Sequence, residues 1–250
     1  MSSGPLLLLG GTGEARELAR VLEQAGESFE SSLAGRVARP RLPVGAVRIG
    51  GFGGVDGLSA YLRERGVRAV VDATHPFAAG ISSNAALACA ATGVPLLRLE
   101  RPGWRGHPGA AGWRWVADHD EAASVAATLG RRPFLTVGRQ SIDRFVGPLA
   151  EYAALVRVVD PPDVELPASW SVLLSRGPYD VRAERELMVE HGVDVVVTKD
   201  SGGSHTVAKL EVAAERDVPV VVVARPPSPA GVDVVDDVEQ AILWIRQQNV

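Results

Sequence analysis

Apolar and polar positions alternate along the chain on two scales. Short runs of apolar, often β-branched residues are separated by longer Ala-rich stretches whose apolar positions recur with helical spacing. This alternation is typical of β-α-β units. The runs 195–197 and 220–223 are valine at every position, so both faces of these strands are expected to be buried. The pattern therefore predicts an α/β fold with parallel sheets that helices cover on both faces.

The predicted elements fall into two series that meet near residues 130–133. In the first series, strands are predicted at 5–9, 28–33, 46–49, 69–72, 95–99 and 113–116, and helices near 13–25, 55–65, 78–92 and 118–129. In the second, strands are predicted at 134–137, 153–159, 171–174, 194–198 and 219–224, and helices near 141–145, 181–191, 206–216 and 236–247. We therefore predict two Rossmann-like lobes, residues 1–130 and 131–250, with an active-site cleft between them.

Parts of the first series recur in the second. Residues 66–72 resemble residues 192–198, and residues 94–102 resemble residues 218–226. An internal duplication explains this match, and so does the general similarity of α/β units. Under both explanations the chain forms two α/β lobes. Ligands of such sheets bind at the carboxyl ends of the strands, so the loops that follow the strands are the place to search for chemistry.

Composition narrows the class of protein. The 250 residues are 46% hydrophobic and carry a net charge of −4, which provides for a packed core and gives no general attraction to nucleic acid or anionic membranes. The only cysteine, Cys89, excludes an internal disulfide framework and a cysteine-based zinc site. The apolar run at 6–9 is too short for a signal peptide or a membrane span. We expect a cytoplasmic protein that binds neither nucleic acid nor membrane.

The first predicted strand leads into a glycine-rich turn and then a helix. The turn consists of Gly10, Gly11, Thr12, Gly13 and Glu14. Glycines here let backbone N–H groups and the helix N-terminus approach a phosphate, as in dinucleotide sites. The match to G-x-G-x-x-G is incomplete, because Arg16 stands at the third glycine position, and Glu14 would repel a phosphate placed too close. A simple tight turn is the alternative.

The end of the second predicted strand favours NADP over NAD. An NAD site usually has an acidic residue there, which binds the ribose 2′-hydroxyl. In this chain Ser32, Gly35 and Arg36 occupy the strand end, and the nearby Glu30 is predicted to lie mid-strand. A hydroxyl and a guanidinium suit a 2′-phosphate. A solvated surface arginine is the alternative for Arg36.

The strand that ends at Asp72 is followed by Ala73, Thr74 and His75, just before a helix. His75 is a candidate acid–base group or a hydrogen-bond partner of a cofactor, although a helix-capping loop with a structural histidine fits the spacing equally well. The remaining histidines have no ligand-like spacing, so no metal site is expected.

Cations and hydroxyls follow several strands of the second series. Arg139, Arg176 and Lys199 each follow a predicted strand, and parallel strands would open all three loops on one side of the sheet. Several such cations suit a ligand with many carboxylates or phosphates. Lys199 is followed by Asp200, Ser201 and Gly202, an arrangement that suits an anion-binding turn. The two lysines of the chain, Lys199 and Lys209, lie close together in this region.

Together these loops resemble the precorrin-6A reductase family of cobalamin biosynthesis. The segments that carry the resemblance are 10–15 (GGTGEA), 32–36 (SLAGR), 72–78 (DATHPFA), 101–104 (RPGW) and 198–203 (TKDSGG). The likeness extends from Leu6 to about Ile245. Its most specific part is the pair formed by the DATHPFA segment, which follows the fourth predicted strand, and the TKDSGG segment.

The resemblance implies an oxidoreductase that acts on CH–CH groups with NADP as acceptor. A hydride passes from NADPH to a double bond of precorrin-6A, a polycarboxylate tetrapyrrole, and a proton adds at the neighbouring carbon to give precorrin-6B. Under this hypothesis the backbone of 11–14 binds the pyrophosphate and Ser32 with Arg36 binds the 2′-phosphate. Thr74 and His75 border the nicotinamide, and Lys199 pairs with a carboxylate or delivers the proton.

Two alternatives stay open at this point. One is an NADH-dependent enzyme that reduces the cobalt-containing macrocycle. The other, from a different class, is a non-catalytic NADP-binding regulatory module whose cationic loops would bind a protein partner. Transient contact with neighbouring pathway enzymes is a further expectation.

Overall fold

The structure is a computed structural model that describes residues 4–35, 38 and 40–248. It contains two compact units. Unit 1 comprises the described residues up to Pro102 and from Pro226 onward, and unit 2 is Gly103–Arg225. Each unit holds one six-stranded sheet in which every pair of neighbouring strands is parallel. The predicted α/β fold with two parallel sheets is confirmed.

The elements follow one another along the chain in alternation. The strands are β1 (Leu6–Leu9), β2 (Phe29–Leu33), β3 (Ala46–Ile49), β4 (Ala69–Asp72), β5 (Leu96–Leu99), β6 (Arg114–Val116), β7 (Pro133–Thr136), β8 (Leu155–Val158), β9 (Ser171–Leu174), β10 (Val195–Lys199), β11 (Val220–Val223) and β12 (Asp233–Val235). The helices are α1 (Gly13–Gln24), α2 (Gly54–Glu64), α3 (Ala79–Thr92), α4 (His119–Leu129), α5 (Asp143–Val146), α6 (Val181–Glu190), α7 (Ala208–Glu215) and α8 (Val238–Gln247).

The sheet of unit 1 has the order β3-β2-β1-β4-β5-β12. β1 is apolar throughout because it is covered on both faces. Leu6 and Leu8 pack in the core cluster that includes residues of α1 and α8, whereas Leu7 and Leu9 pack with residues of α2 and α3. Full burial of a leucine side chain contributes about 1.5–3 kcal/mol, so this central strand is a main source of stability. The strand order is that of a dinucleotide-binding sheet, which reverses between β1 and β4.

The sheet of unit 2 has the corresponding order β9-β8-β7-β10-β11-β6. Its central strands β7, β10 and β11 are buried in the same way, with Phe134, Val196 and Val222 in one core cluster. The order reverses between β7 and β10, so the loops after these two strands occupy the position that the loops after β1 and β4 occupy in unit 1.

The boundary between the units differs from the predicted division at 130/131. β6 and α4, predicted in the first lobe, belong to unit 2, because β6 pairs with β11 through Arg114 opposite Val221. Conversely, α8 belongs to unit 1 together with β12, a strand that was not predicted and that pairs with β5. Each sheet therefore takes its last strand from the other series. Local sequence pattern does not encode such long-range pairing, so it could not place the two crossings.

The repeated segments occupy equivalent positions in the two sheets. Residues 66–72 and 192–198 contain most of β4 and β10, and residues 94–102 and 218–226 contain β5 and β11. Both members of the second pair end in an Arg-Pro dipeptide, and the chain crosses between the units there, after Pro102 and after Arg225. The sequence repeat thus marks both the equivalent strands and the two crossing points.

Candidate functional site

The loop between β1 and α1 lies where the strand order of unit 1 reverses. Thr12 is the N-cap of α1, and its hydroxyl accepts a hydrogen bond from the Ala15 N–H at 3.1 Å. The same hydroxyl donates to the carbonyl oxygen of Ala73 at 2.8 Å. Thr12 therefore ties the predicted phosphate loop to the loop that follows β4. Ligands of open parallel sheets bind at this reversal point.

Gly11 is the position in this loop whose backbone requires glycine. Its φ of +120° is costly for any residue with a Cβ, although a Cβ there would meet nothing within 4 Å. The space beside Gly11 is thus open, and α1 begins two residues later at Gly13. An open glycine turn that leads into a helix N-terminus fits a pyrophosphate group. Gly10 lacks this strained conformation, and a Cβ there would lie 3.4 Å from the Cβ of Ala15.

Glu14 lies in the first turn of α1 and is paired with a cation. Its carboxylate is 2.8 Å from the guanidinium of Arg101, which follows β5. The sequence predicts that Glu14 would repel a nearby phosphate. The positive charge of Arg101 offsets much of that repulsion, so the acidic residue is compatible with a phosphate at this helix end.

The carboxyl ends of β2 and β3 carry a hydroxyl and a guanidinium in contact. Ser32 is buried, and its hydroxyl accepts a 3.0 Å hydrogen bond from Arg48. Arg48 also donates to the carbonyl oxygens of Gly50 at 2.9 Å and Gly51 at 3.1 Å. Its guanidinium lies 3.8 Å from the centre of the Phe52 ring. Four contacts therefore fix this cation next to a predicted cofactor residue.

The two other residues predicted for the 2′-phosphate lie near this strand end. Gly35 has a φ of +72°, and a Cβ there would approach the side chain of Ile49 at 3.1 Å. Arg36 lies outside the residues that the structure describes. The described cation at this edge is Arg48, which the sequence did not single out.

The loop after β4 is organised by a buried carboxylate. Asp72 accepts hydrogen bonds at one oxygen from the backbone N–H of Thr74 at 3.0 Å and from its hydroxyl at 2.6 Å. Its other oxygen is paired with Arg98 at 2.6 Å. Arg98 is 3% exposed and also contacts Glu100 at 2.5 Å and the Ser82 hydroxyl at 2.7 Å. The Thr74 hydroxyl is therefore turned toward Asp72, and Arg98 fixes the loop through that carboxylate.

His75 stands at the turn between β4 and α3. Its Nδ1 accepts a hydrogen bond from the backbone N–H of Phe77 at 3.2 Å, and its carbonyl accepts from the N–H of Ala78 at 2.7 Å. A histidine whose Nδ1 is an acceptor carries its proton on Nε2 in the neutral form. His75 thus has a structural role in the turn that precedes α3, which begins at Ala79.

In unit 2, Lys199 stands at the end of β10, beside the loop that follows β7. Its ammonium nitrogen lies 3.4 Å from where a Cβ of Gly138 would be, and Gly138 has a φ of +81°. Burial lowers the pKa of Lys199 to about 8. The pKa of His119, the first residue of α4, is lowered by burial and then by the positive charge of Lys199. The site therefore holds a lysine that gives up its proton more readily than an exposed one.

The two predicted arginines lie on the same edge of the sheet as Lys199. Arg139 comes directly after Gly138 and lies 3.5 Å from Asp163, an exposed carboxylate. Arg176 follows β9, at the far side of the sheet, and is half-buried. Within the part of the chain that the structure describes, Arg176 has no hydrogen bond or ion pair.

The loop that carries Arg176 bends toward the loop that follows Lys199. The backbone N–H of Tyr179 donates to the carbonyl oxygen of His205 at 3.2 Å, and a Cβ on Gly177 would lie 3.2 Å from the same oxygen. The parallel strands and this contact gather the predicted cationic loops at one end of unit 2. That arrangement suits a ligand with several separated carboxylates.

Asp200, Ser201 and Gly202 form the turn directly after Lys199. Asp200 is 4% exposed, and its carboxylate accepts a hydrogen bond from the backbone N–H of Trp104 at 2.7 Å. The Ser201 N–H donates to the carbonyl of Lys199 at 2.6 Å, and Gly202 has a φ of +64°. The carboxylate of Asp200 is thus engaged inside the protein, whereas the backbone of the turn follows a tight course next to Lys199.

Metal-binding clusters and membrane-spanning helices are both absent from the described residues. In 4–35, 38 and 40–248 no group of three or more His, Cys, Asp or Glu side chains is placed to hold a metal ion. None of the helices in these residues combines the length and the apolar character that a membrane crossing requires.

A comparison with protein families shows which family the chain belongs to. The family model described as Precorrin-6x reductase CbiJ/CobK matches residues 5–246. The chain belongs to this family. The resemblance recognised from the loop segments is confirmed, and membership of a reductase family with Rossmann-type strand order implies a nicotinamide cofactor.

Similar proteins cover almost the whole chain. The precorrin-6A reductase of Rhodococcus erythropolis is 52% identical over 241 residues, which are 96% of each chain. The precorrin-6A reductase of Mycobacterium tuberculosis (strain H37Rv) is 50% identical over 243 residues, again 96% of each chain. A solved structure of CobK precorrin-6A reductase superposes with a TM-score of 0.88 at 40% identity, over 99% of this chain and 98% of that one.

Sequence reasoning gave no role to several residues of this precorrin-6x reductase family member that hold the loops in place. They are Arg48, Arg98, Trp104 and Lys209, of which the sequence marks Trp104 only as part of the RPGW segment and Lys209 only as a lysine close to Lys199. Arg98 has a signal in the sequence, because it is a charged residue inside the apolar run 96–99 and such a residue needs a buried partner. Arg48 contacts Ser32 on the next strand and Trp104 contacts Asp200 far along the chain, so local pattern did not indicate these two contacts.

Proposed function

We propose that the chain catalyses the NADPH-dependent reduction of precorrin-6A to precorrin-6B in cobalamin biosynthesis. The observation that carries the proposal is the 52% identity to a relative named precorrin-6A reductase over 96% of both chains. The strand order of unit 1 and the open turn at Gly11 support it, because both are features of dinucleotide sites. In this proposal unit 1 binds the cofactor and unit 2 binds the tetrapyrrole.

NADPH rather than NADH is the proposed cofactor because of the cations at the ends of β2 and β3. Arg48 and the Ser32 hydroxyl lie together where the ribose 2′ position is expected, and Arg36 follows the same strand. Among the residues that the structure describes, the Ser32 side chain contacts the guanidinium of Arg48 and no carboxylate, which would favour the 2′-hydroxyl of NADH. The backbone from Gly11 to Glu14 binds the pyrophosphate, with Glu14 balanced by Arg101.

The nicotinamide end is proposed to lie beside Ala73, Thr74 and His75. When bound, NADPH supplies the hydride that reduces one carbon of a macrocycle double bond. The protein positions the donor ring through this loop: Arg98 fixes Asp72, and Asp72 fixes the backbone of Thr74. His75, in the turn that follows, borders the cofactor at this end. Holding donor and acceptor carbons in contact supplies much of the rate.

Substrate carboxylates are proposed to bind Arg139, Arg176 and Lys199. The half-buried Arg176 supports this role, because it makes no polar contact within the described residues. Lys199 delivers the proton to the carbon next to the one that receives the hydride. Its lowered pKa of about 8 keeps it protonated at neutral pH and makes it a stronger acid than an ordinary lysine. The backbone of Ser201 and Gly202, which follow Asp200, borders the same substrate in this proposal.

An isotope experiment tests the reaction. The purified protein is incubated with precorrin-6A and NADPH that carries deuterium at the transferable position, and the product is analysed by mass spectrometry and NMR. We expect one cofactor deuterium at one carbon and, in D₂O with ordinary NADPH, one solvent deuterium at its neighbour. NADPH binding without any turnover would instead support the regulatory module. Parallel assays with NADH and with the cobalt-containing macrocycle test the cofactor and substrate preference.

The cellular location of the protein and its contacts with other enzymes stay predictions. A cytoplasmic location and transient contacts with neighbouring pathway enzymes follow from the proposed reaction, since its substrate and product are intermediates of one pathway.

A further inference from the structure

Gly103 and Trp104, the first residues of unit 2, are packed against Asp200. The backbone N–H of Trp104 donates to Asp200 Oδ1 at 2.7 Å. A Cβ on Gly103 would lie 2.6 Å from Asp200 Oδ2, a distance at which the carboxylate would have to move. The glycine in the RPGW segment is therefore required by this close approach, and the segment meets the loop after β10 at the residue next to Lys199.

Trp104 contacts the same loop at two further points. Its indole N–H donates to the carbonyl oxygen of Gly203 at 3.3 Å. The face of its ring lies 4.9 Å from the ammonium nitrogen of Lys209, which itself donates to the carbonyl oxygen of Thr206 at 2.5 Å. Trp104 is 4% exposed, and burial lowers the pKa of Lys209 to about 7, so the contact is a cation–π contact in the protonated form of this lysine. Trp104 thus contacts residues 200–206 at three points: its backbone binds Asp200, its indole binds Gly203, and its ring packs on Lys209, which binds Thr206.

The loop has little conformational preference of its own. Gly202 and Gly203 adopt consecutive left-handed conformations, with φ of +64° and +70°. Glycine explores more backbone conformations than any other residue, so the unanchored loop would lose much entropy on ordering. An external anchor removes that cost before the substrate arrives, which is the usual benefit of a preorganised site.

We propose that Trp104 is a positioning residue that holds residues 200–206 in the arrangement that meets the substrate next to Lys199. The inference rests on the proposed function for what the loop binds, but not for the positioning itself. The RPGW segment lies where the chain crosses between the units. The proposal explains why both this segment and the TKDSGG segment carry the family resemblance, because the two are in direct contact. Trp104 acts through the loop and does not itself touch the reacting atoms.

Trp104→Phe tests the proposal, with Trp115→Phe as its matched control. Phenylalanine keeps an aromatic ring beside Lys209 but removes the indole N–H that binds Gly203. Trp115 makes the same kind of bond, from its indole N–H to the Ala110 carbonyl at 3.0 Å, outside residues 200–206. Amide hydrogen exchange of the peptide that covers 200–206 is measured in the full chain without ligands.

We expect exchange in this peptide to become about tenfold faster in Trp104→Phe and to stay unchanged in Trp115→Phe. With precorrin-6A, KM should rise about tenfold in Trp104→Phe while the Kd for NADPH stays unchanged. Unchanged exchange, or equal acceleration in both variants, would overturn the positioning role.

Two additions keep the outcomes distinct. Gly103→Ala presses on Asp200 from the other side and should accelerate exchange in the same peptide, so it tests the anchor even where Trp104→Phe folds poorly. Because exchange is measured without substrate, it decides the positioning role independently of catalysis. A wild-type protein that fails to reduce precorrin-6A overturns the proposed function and leaves the exchange result standing.

Discussion

Ser32 and Arg48 are paired residues of neighbouring strands, and the guanidinium donates to the serine hydroxyl at 3.0 Å. The sequence places a serine at this strand end, but the register of β2 against β3 brings the cation to it. The ribose 2′ position of a dinucleotide lies at the end of the second strand of such a sheet, so we propose that this pair selects the cofactor.

We expect Arg48→Met to weaken NADPH binding while leaving NADH binding unchanged. A charge-assisted hydrogen bond to a phosphate contributes about 1.5–3 kcal/mol, so the Kd for NADPH should rise about tenfold to hundredfold. Quenching of tryptophan fluorescence in titrations with each cofactor measures this. The control is Arg63→Met on α2, whose contact is a 3.4 Å hydrogen bond to the Ala91 carbonyl. Equal losses for both cofactors would show that Arg48 only supports the fold.

We expect the glycine turn to tolerate Gly10→Ala but not Gly11→Ala. Gly11→Ala forces an alanine into a φ of +120°, which costs about 1–3 kcal/mol, and it adds a methyl group where the pyrophosphate is proposed to bind. Gly10→Ala adds a methyl group at ordinary contact distance, 3.4 Å from Ala15. We expect urea unfolding and NADPH titration to show losses for Gly11→Ala only. Equal behaviour of the two variants would contradict a phosphate site at this turn.

The activity should fall as pH rises through the pKa of Lys199. Burial lowers that pKa to about 8, so the ammonium form needed for proton delivery is complete at neutral pH and lost above about pH 8. A profile of kcat/KM against pH should show this loss in the wild type. Lys199→Met should lower kcat by about a hundredfold or more and remove the step, since acid catalysis contributes about that much.

Lys199→Arg separates the two roles of this residue. Arginine keeps the positive charge for a carboxylate but does not release a proton. Low kcat with near-normal KM supports proton delivery, and near-normal kcat that persists at high pH supports carboxylate pairing. Titration with NADPH is the control for all Lys199 variants, because equal losses of turnover and cofactor affinity would contradict a role at the substrate.

Arg98→Met should destabilise unit 1 severely. Asp72 and Glu100 would lose the buried guanidinium that lies 2.6 Å and 2.5 Å from them. Removing one partner of a buried ion pair costs about 3–5 kcal/mol, because the other charge is left uncompensated. The control is Arg185→Met, which breaks the half-exposed pair with Glu215 and should cost about 1 kcal/mol at most. Urea unfolding measures both, and similar free energies of unfolding would contradict the role of Arg98.

The sequence predicted most elements because their signals are local. β1 and β11 are apolar throughout and β10 is apolar over 195–197, as is typical of strands buried on both faces. Thr12 and Asp118 mark helix starts by capping the first turns of α1 and α4. β12 gave no such signal, since it is short and largely exposed. Its existence depends on hydrogen bonds to β5, which no local pattern records.

In the loops of the candidate site, the sequence likewise indicated the features that are local and not those that depend on distant residues. Residue types and strand ends indicated Gly11, His75 and Lys199 as candidates, because glycine turns and cations after parallel strands have general chemical meanings. Contact partners were not indicated. These contacts join segments that are far apart in the chain: Thr12 binds Ala73, Arg98 holds Asp72, and Trp104 holds residues 200–206.

The sequence by itself determined the α/β class, the parallel strands and the loops in which chemistry is placed, because these depend on periodicity and on residue type. Only the tertiary structure decided which unit each edge strand joins and which side chains fix the loops. Strand pairing and buried ion pairs gain their free energy from groups that are brought together only when the chain folds. The tertiary structure therefore decided two features of this protein. One is the exchange of β6 and β12 between the two series, and the other is the contact of Arg48 with Ser32.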